Sequence, residues 1–192
     1  MKKLLVLVLT MAIAGSAFAV VDPDPNSVGF YADLTADTVG ATVDPFSTTP
    51  VYVILTMADF DELYGIEYGY EVVGDAVVLA TIFANPQALD VGQPGNHIVG
   101  FGSPTECTEA TLIATMNVLY TNADGAPVTI TLTGTEPSSV DPELPTLLLA
   151  NGVLMTSGDS TDIGNVNFGM NYALDIVATE PMTIDSVKSL YR

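Results

Sequence analysis

From residue 28 onward the chain is a succession of short β-type runs cut by Gly, Pro, Asn and Asp, and this cadence limits it to a body built of strands. The runs are 28–33, 51–57, 64–73, 76–84, 96–101, 110–121, 127–135, 146–155 and 165–177, the last expected to break in two. Several alternate with period two, which assigns faces. Ile66, Tyr68, Tyr70 and Val72 share one side while Glu67 and Glu71 share the other; Val128, Ile130 and Leu132 turn inward and the intervening threonines outward. By contrast 76–84 and 147–149 are apolar throughout, which predicts strands central to the core. Asn122-Ala123-Asp124-Gly125 between two strong runs predicts a hairpin, with Gly125 supplying positive φ. The economical solution is all-β: an antiparallel two-sheet sandwich packed face to face, occupying residues 28–180 as one domain.

The two ends break the β cadence. Residues 1–19 have Lys2 and Lys3 before a short apolar stretch and finish on Ala17-Phe18-Ala19, the pattern of a bacterial-type signal peptide cleaved after Ala19. A secreted location, whether extracellular, cell-surface or periplasmic, is therefore expected, and no later run is long and apolar enough to span a membrane as a helix. Residues 20–27, with Asp22-Pro23-Asp24-Pro25, predict an extended leader. At the other end, Ile184, Val187, Leu190 and Tyr191 follow a helical spacing, with Thr183 as N-cap and Lys188 and Arg192 in the last turns. Residues 181–192 are thus expected to form a short C-terminal amphipathic helix, either docked on the sandwich or recognised by export or anchoring machinery.

Charge removes whole classes of function. The chain has 23 Asp and Glu against 4 Lys and Arg. Two of those four lie in the expected signal peptide, and residues 20–182 contain no Lys or Arg. Phosphate contacts need Lys or Arg, so nucleic acid and anionic membrane are poor partners and no nucleic-acid binding is expected. Disorder does not explain the acidity, because 48% hydrophobic residues supply a core and only 14% are charged. One cysteine, Cys107, leaves no intramolecular disulfide, and its neighbours Glu106 and Glu109 predict an inert thiol rather than a nucleophile.

No catalytic set is visible. The only histidine, His97, follows a Pro-Gly turn and is expected to be half-exposed at a strand edge, without a Gly-x-Ser-x-Gly elbow. Glu67 and Glu71 could serve as a carboxylate pair for glycoside hydrolysis, but an exposed face gives neither a raised pKa, and no Trp is present to stack a sugar. The chain is expected not to be an enzyme. Calcium is the candidate ligand, since clustered oxygen donors suit a hard cation. The loop 157–167 offers Asp159, Asp162, Asn165 and Asn167; the alternative is a polar loop in which Asp and Ser cap turns. No other cofactor is expected.

Pro50-Val51-Tyr52-Val53-Ile54-Leu55, then Leu63-Tyr64-Gly65-Ile66-Glu67-Tyr68-Gly69-Tyr70-Glu71-Val72, resemble the early and aromatic strands of a cohesin-like sandwich. Thr111-Leu112-Ile113-Ala114-Thr115-Met116-Asn117-Val118 with Val128-Thr129-Ile130-Thr131-Leu132 are similar to its late strand pair. The resemblance covers about two-thirds of the chain and implies a cohesin-like or Ig-like fold. It also implies partner binding through a flat sheet face, as cohesins bind dockerins. The Asp-Pro that usually follows the aromatic strand in cohesins is absent, so the resemblance transfers no binding residues. The expectation is a non-enzymatic structural or protein-interaction domain whose partner is a secreted or surface protein or a glycan. A calcium-assisted carbohydrate-binding or adhesive module is its alternative.

Overall fold

The structure, a computed structural model, describes residues 25–159 and 167–172. Sheet A contains β1 (Ser27–Tyr31), β3 (Thr48–Thr56), β5 (Ala76–Phe83), β8 (Ala110–Tyr120) and β12 (Gly158–Asp159), in the order β12-β1-β3-β8-β5. Sheet B contains β2 (Gly40–Ala41), β4 (Glu62–Val73), β9 (Val128–Thr133), β10 (Thr146–Leu148), β11 (Leu154–Thr156) and β13 (Phe168–Met170), in the order β11-β10-β4-β9-β13-β2. Two further strands, β6 (Ala88–Asp90) and β7 (Asn96–Glu106), extend sheet B on the other side of β4. The all-β sandwich is therefore present, with two short parallel contacts, β1 with β12 and β2 with β13, in otherwise antiparallel sheets.

The core lies between the sheets and is built by the alternation. Val28, Phe30, Val51, Val53, Leu55, Met116 and Val118 of sheet A meet Ile66, Tyr68, Val128, Ile130, Leu147 and Phe168 of sheet B, all essentially buried. Burying side chains of this size contributes about 1.5–3 kcal/mol each relative to leaving them in water. That is the source of stability for a body without a disulfide. A satellite cluster of Tyr31, Ala36 and Ile54 lies where the 32–39 loop folds over one end of sheet A.

Three sequence-based expectations give way to tertiary pairing. The 122–125 turn has the expected chemistry: Asn122 Oδ1 accepts from the amides of Asp124 and Ala126, and Gly125 has φ +76°. It is not a hairpin. Both edges of β8 are taken by β3 and β5, so the chain must cross to sheet B to start β9. Second, β5, apolar but for Thr81, is an edge strand, not a central one, and Val77, Leu79 and Ile82 face solvent. Third, 146–155 is two strands, because the chain reverses at Asn151 (φ +60°) and Gly152 (φ +76°) so that β10 and β11 pair with each other. The expected C-terminal helix, the signal peptide and most of the leader and of the 165–177 run lie outside the described residues.

Candidate functional site

His97 is buried, at 5% exposure, rather than half-exposed. The reason is register: β7 is flanked by β4 and β6, and the residue opposite Tyr68 must point inward with it. Its Nδ1 lies 2.6 Å from Asp90 Oδ2, while Asp90 Oδ1 accepts from the amides of Gly92 and Ile98 at 2.9 and 3.1 Å. The ring lies against Tyr68 and Tyr70, with centroids at 4.9 and 5.9 Å, and Phe83 of sheet A meets it edge-on. Burial, reinforced by Tyr70 and Asp90, pushes the Tyr68 phenol far above its ordinary value, and Tyr68 stays protonated.

Asp90, His97 and Thr81 stand in the order of an acid–base–hydroxyl relay. The last step fails as catalysis. Thr81 Oγ1 is 3.5 Å from Nε2, at the limit of a hydrogen bond, and the imidazole is covered by three aromatic rings. What the arrangement does is join the sheets: β6 and β7 of sheet B are tied through one imidazole to Thr81 and Phe83 of sheet A.

The carboxylate pair is likewise disassembled. Glu71 is exposed, whereas Glu67 is half-buried and accepts from the Ser139 amide at 3.0 Å, the Ser139 hydroxyl at 2.5 Å and the Thr135 hydroxyl at 3.4 Å. It fastens the 134–145 loop to the sheet. Cys107 is half-buried; burial first, then Asp61 and Glu62, push its thiol up to about 11. That leaves it protonated and unreactive at neutral pH.

Of the calcium candidates, Asp162 and Asn165 lie outside the described residues. Asp159 ends β12 in sheet A, and Asn167 is buried with its Oδ1 accepting from the Leu132 amide. The described part of the loop thus spends one of the four donors on β9.

A concave feature of the described residues lies on the outer face of sheet B. A groove of about 600 Å³ is lined by Leu89, Val91, Ile98, Leu148 and Leu154 around Gly100 and Gly102. It exists because glycines stand where a pleated strand would raise side chains. Gly65 faces Gly100 across the β4–β7 pair, and a Cβ at Gly65 would come within 2.5 Å of the Val99 carbonyl oxygen. At Gly100 a Cβ would meet nothing within 4 Å. Leu89 and Val91, 67% and 68% exposed, form one wall, and Leu148 and Leu154 of the β10–β11 hairpin the other. Glu67 is the one charged residue lining it. The sequence reading did not find this groove, although the Gly100-Phe101-Gly102 alternation was its signal: glycine on the outward positions, a core aromatic between them.

No protein family and no curated protein sequence matches the chain. Among solved structures it is similar to the cohesin module of a Clostridium perfringens family 33 glycoside hydrolase, at 12% identity and TM-score 0.47, covering 69% of this chain and 90% of that one. It is also similar to a type II cohesin domain from the cellulosome of Acetivibrio cellulolyticus, at 11% identity and TM-score 0.48, over 79% and 98% of the two chains. A cohesin of R. flavefaciens, solved in complex with a group 1 dockerin, aligns at 9% identity and TM-score 0.49 over 76% and 94%. At these values the likeness concerns the sandwich, and function is argued below from this chain's own surface.

Proposed function

We propose that this chain is a non-enzymatic, exported interaction domain that holds a segment of a partner protein in the apolar groove on the outer face of sheet B. The groove carries the reading: exposed Leu89 and Val91 facing Leu148 and Leu154 over a glycine floor are an apolar surface that a monomer has no reason to keep open. Its chemistry supports a polypeptide rather than a sugar. A sugar site needs convergent polar groups and an exposed aromatic platform. Here the one aromatic lining residue, Phe101, is a core side chain, and Glu67 is already engaged by Ser139 and Thr135.

Electrostatics narrows the partner. The strands of sheet B bear Glu62, Glu67, Glu71, Asp90 and Glu106, and no Lys or Arg occurs among the described residues. The fitting occupant presents apolar side chains flanked by Lys or Arg, and salt should slow its association. The chain's own residues 173–192, with Ile184, Val187, Lys188, Leu190 and Arg192, have that chemistry too and are the internal competitor to control for.

The test is capture of secreted proteins of the source organism on three immobilised forms: the full chain, a chain ending at Tyr172, and Gly100→Leu, which projects a side chain into the open groove. The expected result is one salt-sensitive partner, retained by the first two and lost on Gly100→Leu. Equal capture by Gly100→Leu would remove the groove as the binding site.

A further inference from the structure

We infer that β5 is a self-association edge, through which two copies of the chain join sheet A to sheet A by antiparallel β5–β5 pairing about a twofold axis. The surface is separate from the groove. A sheet edge offers unpaired backbone groups to any strand that can reach them, and proteins ordinarily blunt such edges by shortening or charging them. Here the other strands at sheet margins are short: β12 and β2 have two residues each, β11 and β6 three each. β5 has eight, pairs with β8 on one side, and has no backbone pairing with any other strand among the described residues.

Its sequence, Ala-Val-Val-Leu-Ala-Thr-Ile-Phe, contains no charge, proline or glycine, the composition that favours strand addition. The neutrality extends beyond the strand. β1, β3, β5 and β8 carry no Asp, Glu, His, Lys or Arg in a chain with 23 Asp and Glu. Val77, Leu79 and Ile82 on the outward side are 52%, 57% and 58% exposed.

The occupant that fits is a second copy, because the edge is self-complementary around its own irregularity. The register with β8 shifts between Val78 and Ala80, so Leu79 forms a bulge that leaves two regular runs, 76–78 and 80–83. The shift reverses the facing parity: Ala76 and Val78 point inward with Tyr120 and Val118, and Thr81 and Phe83 point inward with Met116 and Ala114. Antiparallel pairing of β5 with its copy that sets Val77 opposite Ile82 therefore also sets Val78 opposite Thr81 and Ala76 opposite Phe83, each pair sharing a face. Each run pairs with the other run of the second copy. Asp75, the nearest carboxylate, falls beside Ala84 of the other copy and not beside its own equivalent. Sheet A becomes a continuous sheet across the axis, a closed isologous contact.

Both copies are strongly anionic, at a formal −19 per chain, so long-range repulsion opposes the contact and salt relieves it. Sedimentation of the full chain at low and at high salt should show a monomer–dimer equilibrium that salt drives toward dimer. This is the opposite salt response to that of the groove.

Register is tested by charge. The double variant Val77→Glu with Ile82→Glu places like charges opposite each other twice and should weaken the dimer at least about tenfold. Val77→Glu with Ile82→Lys places opposite charges there and should restore it. Both sites are exposed, so thermal unfolding should confirm that both variants fold. A monomer at every salt and concentration, assembly beyond the dimer, or failure of the Glu/Lys pair to restore association overturns the inference. Gly100→Leu leaves β5 untouched, so loss of partner capture with an intact dimer separates the two proposals.

Discussion

Sheets A and B share one core and differ in everything they show to solvent. Inward, both obey the same alternation, and Phe30 of β1 and Phe168 of β13 are equally inaccessible. Outward, the long strands of sheet A are neutral and end in an open apolar edge, whereas sheet B holds Glu62, Glu67, Glu71 and Glu106, a glycine-floored groove and the 134–145 loop fastened by Glu67. A uniformly acidic composition therefore conceals a segregated surface. The long strands of sheet A, β1, β3, β5 and β8, are kept free of the carboxylates that loops and sheet B carry, which suits a sheet that must approach another surface. Sheet B uses its few polar side chains to shape and brace a cavity.

The largest expected effect tests the shared core. Phe30→Ala and Phe168→Ala should each cost about 3–5 kcal/mol in urea unfolding followed by far-ultraviolet circular dichroism. If only one sheet's substitution were costly, the sheets would not be equal partners in a single core. Next comes the inter-sheet tie. Asp90→Ala strips partners from the His97 imidazole and from the Gly92 and Ile98 amides, and should cost roughly 3 kcal/mol. Asp90→Asn keeps an acceptor oxygen and should recover much of that; equal losses for both variants would show that charge, rather than hydrogen bonding, holds the tie.

A smaller loss, about 1 kcal/mol, is expected for Glu67→Gln, with faster hydrogen exchange at the Ser139 amide and unchanged exchange in β8. Exchange rising equally in sheet A would mean that the brace is not local to sheet B.

The smallest effect concerns Cys107. Its raised pKa means that the folded state prefers the neutral thiol, so this contribution is whole below the ordinary thiol range and fades as pH climbs toward about 11. Iodoacetamide should accordingly modify the folded chain slowly at neutral pH and faster as the solution approaches that value. Rapid neutral labelling would contradict the burial that causes the shift.

Much of the fold was legible because strand alternation is local. β4, β8 and β9 fall almost where the strand runs were expected, and Tyr68 lies in the core with Tyr70 packed against it, as the alternation of β4 requires. β5 misled for an instructive reason. An edge strand with an apolar outer face has the same run of apolar residues as a strand buried on both sides, and nothing within eight residues distinguishes them. The groove was hidden for another reason: its walls come from β6, β7, β10 and β11, which are separated in sequence and become adjacent only by pairing. His97 looked like an edge residue because Asp90, its buried partner, lies seven positions away across the turn between β6 and β7.

By itself the amino-acid sequence determined the β class, which side chains of the alternating strands β4 and β9 turn inward, and a body without Lys or Arg, since each follows from residue identity or period-two geometry. Tertiary structure alone decided which sheet each strand joined, where the open edge fell, why His97 is enclosed and how the groove formed. Those depend on which backbone hydrogen bonds distant segments exchange, and a hydrogen-bonded ladder is satisfied only by a partner that local pattern does not name.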